Sequence, residues 1–113
     1  MQETKILSYM GLATRAGRTV SGEFSVEKSV RQGRARLVLV SDEASENAKK
    51  KFRNLCSHYK VPMYCFGSSA ELGAACGKEF RMSAAVEDEG LAAAMVRILE
   101  QEAGTGGVGQ NVK

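Results

Sequence analysis

Between residues 5 and 16, Ile6, Leu7, Met10 and Ala13 recur at helical spacing, which predicts a helix with Thr4 as N-cap and an end before Gly17. Thr19-Val20-Ser21 reads as a very short strand. Gly22 then opens a second helix running to Gln32, with Phe24 or Ser25, Val26 and Val30 as its apolar positions and Gly33 as its C-cap glycine. Arg36-Leu37-Val38-Leu39-Val40 is a near-continuous apolar run, the pattern of a strand covered on both faces. From Ser45 to Tyr59, Ala48, Phe52, Leu55, Cys56 and Tyr59 share a helical face that Lys49, Lys50, Lys51 and Arg53 mostly avoid. Residues 61–66 form a third strand, with Pro62 at its start, where a missing N–H matters least. Ser68-Ser69-Ala70-Glu71 is a capping box for a short helix through Cys76 that Gly77 stops. Met82-Ser83-Ala84-Ala85-Val86 is a fourth strand. Glu87, Asp88 and Glu89 load the first turn of a last helix, whose buried stripe is Leu91, Ala94, Met95, Ile98 and Leu99.

Helix and strand thus alternate throughout, which predicts an α/β domain with a single sheet of about four strands between two helical layers. The domain is expected over residues 1–103. Residues 104–113 lack periodicity and read as a flexible glycine-rich tail.

The length of 113 residues fits one small domain. No apolar run approaches the ~18 residues needed to span a bilayer, so no membrane partner is expected. Met1-Gln2-Glu3-Thr4-Lys5 does not begin a secretory signal. The three cysteines, Cys56, Cys65 and Cys76, are odd in number, widely spaced and without a CxxC, which suits reduced thiols in a cytoplasm. Cys56-Ser57-His58 finds nothing to complete a zinc site, so no metal is expected. Charge is asymmetric. Residues 1–60 carry 12 Lys/Arg against 6 Asp/Glu, a net +6, and residues 61–113 carry 4 against 7, a net −3. Such a division suggests a positive field on one side.

Two phosphate-binding patterns fail on inspection. Gly73-Ala74-Ala75-Cys76-Gly77-Lys78-Glu79 is one residue short of a P-loop, has Glu79 where a Ser or Thr must hold magnesium, and follows a helix. Gly104-Thr105-Gly106-Gly107-Val108-Gly109 matches GxGxxG, but no room follows for the helix that would hold a pyrophosphate. Catalysis finds no support either. The sole histidine, His58, lies about 200° round a helix from Cys56, and no nucleophile, base and orienting group can be assembled. No catalytic residue and no cofactor are therefore expected.

What remains is cationic. Gly22 starts a helix directly after a strand, and the N–H groups there suit a phosphate. Lys28 and Arg31 are three apart and can share a face. Arg15 and Arg18 precede the strand, and Lys78 and Arg81 follow Gly77. If these segments meet at one end of the sheet, they form a patch suited to RNA backbone.

The ordered blocks Gly11-Leu12-Ala13-Thr14-Arg15-Ala16-Gly17, Ser21-Gly22-Glu23, Lys28-x-x-Arg31-x-Gly33-x-Ala35-x-Leu37-Val38, Glu71-Leu72-Gly73-x-Ala75-x-Gly77-Lys78 and Ala84-Ala85-Val86 resemble an RNA-binding ribosomal protein family. That family includes the archaeal large-subunit "seven-Ae" and eukaryotic "thirty-e" proteins. The resemblance is strongest to its small bacterial members of the YlxQ type and covers residues 4–100. It implies a three-layer α-β-α sandwich with a mixed four-stranded sheet. It also implies binding to structured RNA, often a kink-turn or ribosomal RNA, in a ribonucleoprotein, without catalysis or cofactor. Carried over by position, the RNA contacts fall on Gly22, Glu23, Phe24, Ser25, Lys28 and the loop from Lys78 to Arg81.

One departure stands out. Kink-turn binders of the family carry an Asn-Glu pair three and four residues before the lysine, to read sheared G·A pairs. Here those positions are Phe24 and Ser25. Phe24 cannot make the hydrogen bonds, and Ser25 offers one short hydroxyl. Phe24 reads as a core residue at helical spacing, with stacking on a splayed base as the other reading. The leading expectation is a monomeric RNA-binding module. The alternative is a protein-interaction module of the translation or transcription machinery whose RNA reading has decayed. A small enzyme ranks last.

Overall fold

In the computed structural model, residues 2–103 are described, and they form nine elements in strict alternation. The elements are α1 (Gln2–Arg15), β1 (Thr19–Ser21), α2 (Glu23–Arg31), β2 (Leu37–Val40), α3 (Glu46–Tyr59), β3 (Met63–Cys65), α4 (Ser69–Ala75), β4 (Ser83–Val86) and α5 (Glu89–Ala103). The glycine-rich tail and its GxGxxG lie outside the described residues.

The sheet order is β1-β4-β2-β3. β2 runs parallel to β3 and antiparallel to β4, and β4 runs antiparallel to β1, so the sheet is mixed. All four residues of β2 are buried, as are all four of β4. Their alternation splits the core in two. Leu37, Leu39, Ala84 and Val86 face Ile6, Met10 and Ala13 of α1, Leu72 of α4, and Met95 and Leu99 of α5. Val38, Val40 and Ala85 face Val26 and Val30 of α2 and Phe52 and Cys56 of α3. The fold is a three-layer α-β-α sandwich, with α1, α4 and α5 on one face and α2 and α3 on the other. No helix among the described residues is long and apolar enough to cross a membrane.

The capping box predicted for α4 is present, and α3 carries a cap as well. The Ser45 hydroxyl accepts from the Ala48 N–H, and Ser68 with Glu71 completes a capping box on α4. At the end of α2, the Gly33 N–H donates to the Val30 carbonyl and the Arg34 N–H to the Ser29 carbonyl, which satisfies the last turn.

Three expectations need correction. Thr4 does not cap α1, because the helix already begins at Gln2. Glu87 does not belong to the first turn of α5. It precedes that helix and accepts a hydrogen bond from the Ser29 hydroxyl at 2.6 Å, tying β4 to α2, while Asp88 accepts from the Leu91 N–H as the cap. On α5, Ala92 is fully buried and Ala94 only partly, so the stripe is centred on Ala92, Met95 and Leu99.

Candidate nucleic-acid interface

Sheet order decides which basic segments meet. β4 inserts beside β1, so the end of β1 and the start of β4 lie together. The Gly22 N–H donates to the Ser83 carbonyl at 3.0 Å, and the Ser41 N–H donates to the Met82 carbonyl at 2.8 Å. The loop from Gly77 to Met82 therefore flanks the start of α2.

Gly22 has φ +92° and ψ 151°, a conformation L side chains rarely adopt, while the space around its Cα is open. Backbone conformation alone requires glycine here. A glycine also supplies no capping side chain, so the first N–H groups of α2 are left without a side-chain acceptor. This end of the helix is electropositive.

The neighbouring loop is held firmly. The Arg81 N–H donates to the Ser69 carbonyl at 3.0 Å and the Lys78 N–H to the Gly73 carbonyl at 2.7 Å, so the loop folds back along α4. Gly73 permits this approach, because a Cβ there would stand 2.3 Å from the Glu79 carbonyl oxygen. The Arg81 Nε donates to the Ser21 hydroxyl at 3.1 Å and its Nη1 to the Phe80 carbonyl at 2.9 Å. The guanidinium is thus fixed beside the residue that precedes Gly22. The start of α4 receives a further acceptor from the loop after β2. Glu43 Oε1 accepts from both the N–H and the hydroxyl of Ser69, at 3.0 and 2.7 Å, and these bonds lower the carboxyl's pKa.

Phe24 is 76% exposed, which overturns its reading as a core residue. Helix geometry supplies the reason. Val26, Ser29 and Val30 form the buried face of α2, and Phe24 lies about 200° from Val26. It shares the outer face with Lys28 and Arg31, and with Glu27 and Gln32 these line a groove of about 300 Å³. Ser25 is half-buried beside it.

Phe80 escaped the sequence reading, and Met82, expected as the first residue of the fourth strand, lies before β4. Phe80 is 64% exposed and Met82 is 48% exposed, both in the loop that flanks Gly22. Apolar residues in a loop bracketed by glycine and charge were the available signal. Met82 also lines a second groove of about 280 Å³ with Glu23, Ser83, Val40 and the start of α3.

Other basic residues do not converge here. The Arg18 carbonyl accepts from the Glu87 N–H, which places Arg18 at the opposite end of β1, about 13 Å from Gly22 by strand rise. Arg15 ends α1, three residues before Arg18. Elsewhere, burial pushes the Cys56 thiol up to about 12 and keeps it neutral, whereas His58 is exposed on the same helix. No group of three His, Cys, Asp or Glu among the described residues could hold a metal ion.

Comparison with known proteins gives the family. Residues 4–96 match the ribosomal protein L7Ae/L30e/S12e/Gadd45 family. The RNA-binding protein YlxQ of Bacillus subtilis (strain 168) is 45% identical over 91 residues, covering 80% of this chain and 91% of that protein. A solved structure of a protein with unknown function from Bacillus halodurans is 35% identical and superposes with a TM-score of 0.81, covering 85% of this chain and 97% of the other. A Giardia lamblia 15.5kD RNA binding protein shares the fold, with a TM-score of 0.74 at 20% identity, covering 88% of this chain and 86% of its own. With a sequence match that spans both helical layers and the whole sheet, the chain belongs to the ribosomal protein L7Ae/L30e/S12e/Gadd45 family.

Proposed function

We propose that this protein is a non-catalytic, monomeric RNA-binding module acting in the cytoplasm, and that its ligand is a sharply bent RNA of the kink-turn kind, ribosomal RNA among the candidates. The observation that carries the reading is the meeting of an uncapped helix start at Gly22 with the fixed loop around Arg81. The relatives named as RNA-binding proteins support it.

The chemistry divides by residue. The first N–H groups of α2, Lys28 and Arg31 suit phosphates. Lys78 and Arg81 extend the positive field from the adjoining loop. Exposed Phe24, Phe80 and Met82 offer apolar surface to unstacked bases. A plain duplex presents phosphates but no splayed base, and a single strand presents bases but no fixed phosphate geometry. A bend joining two helices presents both. Ser25 retains one hydroxyl for a base edge, and Glu23 is turned toward α3. Without an Asn-Glu pair, base-edge hydrogen bonds contribute little, and stacking with backbone contact carries the preference.

Lys28→Ala is the direct test. The variant is expected to bind RNA more weakly and to lower the slope of log affinity against log salt by about one. Binding identical to the parent at every salt concentration would place the site elsewhere. A second reading draws on the same exposed Phe24, Phe80 and Met82, which also suit a protein partner from the translation or transcription machinery. It requires RNA affinity no better than nonspecific and enrichment of one defined protein in a pull-down.

A further inference from the structure

α2 carries two carboxylates among its cations, and both lie beside the surfaces assigned to RNA. Glu27 lines the groove shared by Phe24, Lys28 and Arg31. Glu23 is the first residue of the helix and lines the groove shared with Met82 and Ser83. A carboxylate at a helix start is drawn to the free N–H groups there, so Glu23 is a built-in competitor for a phosphate. Glu27, one turn on, would meet the next phosphate with like charge.

Neither carboxylate is left to do so. Lys51, from the neighbouring α3, contacts both. Its Nζ forms an ion pair with Glu23 and lies 2.9 Å from Glu27 Oε2. Glu23 and Glu27 are four apart, so one ammonium from α3 can reach both. These hydrogen bonds also raise the Lys51 pKa, so it stays charged at neutral pH. Lys49 makes its only ion pair among the described residues within its own helix, with Glu46.

We infer that Lys51 is a positioning residue for RNA binding: it holds the Glu23 carboxylate toward α3 and away from the first N–H groups of α2, and it pairs with the Glu27 carboxylate at the edge of the outer groove, keeping both open to phosphate. The role rests on the RNA-binding reading above. It differs from a phosphate contact by Lys51 itself, because Lys51 acts through the two glutamates. It also differs from a structural role, since a half-exposed surface ion pair contributes little to folding.

A double-mutant cycle separates these possibilities. RNA affinity would be measured for the parent, Lys51→Met, the pair Glu23→Gln with Glu27→Gln, and the triple variant, using a kink-turn RNA at fixed salt. Thermal unfolding would be followed in parallel. Lys51→Met is expected to weaken binding roughly five- to tenfold with little change in melting temperature, a loss of the order of one charge-assisted contact. In the glutamine background the same substitution is expected to cost under about twofold, because no carboxylate remains to swing back. An equal cost in both backgrounds overturns the inference, since Lys51 would then act as a phosphate contact or a distant charge. A parent that binds RNA beside a Lys51→Met of equal affinity also overturns it and leaves the RNA-binding reading standing. A parent that binds no RNA overturns both.

Discussion

Phe24 shows how one residue redirects the account. At helical spacing a phenylalanine invites a place in the core, yet the buried face of α2 is set by Val26, Ser29 and Val30. Phe24 stands outside with Lys28 and Arg31, on the face that would meet RNA. Spacing along the helix separates the two readings, since Phe24 lies about 200° from Val26 and shares a face with Lys28 and Arg31; the core reading follows from its apolar character alone. Gly73 gives the clearest test at this scale. Replacing a helical glycine with alanine ordinarily stabilises by about 1 kcal/mol. Here the added Cβ would sit 2.3 Å from the Glu79 carbonyl oxygen, so the sign should reverse. Gly73→Ala is expected to lose about 1–3 kcal/mol in urea unfolding, the range for overpacking. A stability equal to or above the parent's would show that the loop from Gly77 to Met82 is not pinned to α4.

Among elements, the short helix α4 organises the site without touching it. Its capping box was legible as Ser68-Ser69-Ala70-Glu71, because that motif depends on residues three apart. The second acceptor, Glu43, comes from a loop 26 residues away and left no local trace. Its two bonds from Ser69 hold the carboxyl below its ordinary value of 4.5. A folded-state value below the unfolded one gives stability above the unfolded pKa and loses it as pH falls through the folded one. Glu43→Gln keeps the shape and removes the charge. It is expected to melt below the parent at pH 7, with the difference closing as pH falls below the ordinary carboxylate range. A difference that persists unchanged at low pH would remove the charge from the explanation. The same contrast runs through the other elements. Strand and helix identities followed from periodicity, while Glu87 was misread because its partner, Ser29, lies 58 residues away.

At the scale of the molecule, sheet order is what brings the segments of the proposed interface together, and periodicity does not encode it. The basic segments could be named from the sequence, but their meeting depends on β4 lying between β1 and β2. That insertion brings the Lys78–Arg81 loop to Gly22 and leaves Arg18 at the far end. The asymmetric charge of the two halves was visible from composition. Composition does not show that one of those cations, Lys51, pairs with two carboxylates of α2. The family resemblance supplied the fold in advance because its blocks include positions such as Gly22, where the backbone conformation restricts the side chain, and Gly73, where the Glu79 carbonyl leaves no room for one.

The most direct measurement is a salt-titrated binding assay of the parent protein with three RNAs: a kink-turn, a plain duplex and a single strand. The arrangement around Gly22 expects the kink-turn to bind tightest, with a steep salt dependence shared among phosphate contacts and a preference over the other two that survives as salt rises. Equal affinity for all three, vanishing together with salt, would reduce the surface to a generic cationic patch and contradict the assignment.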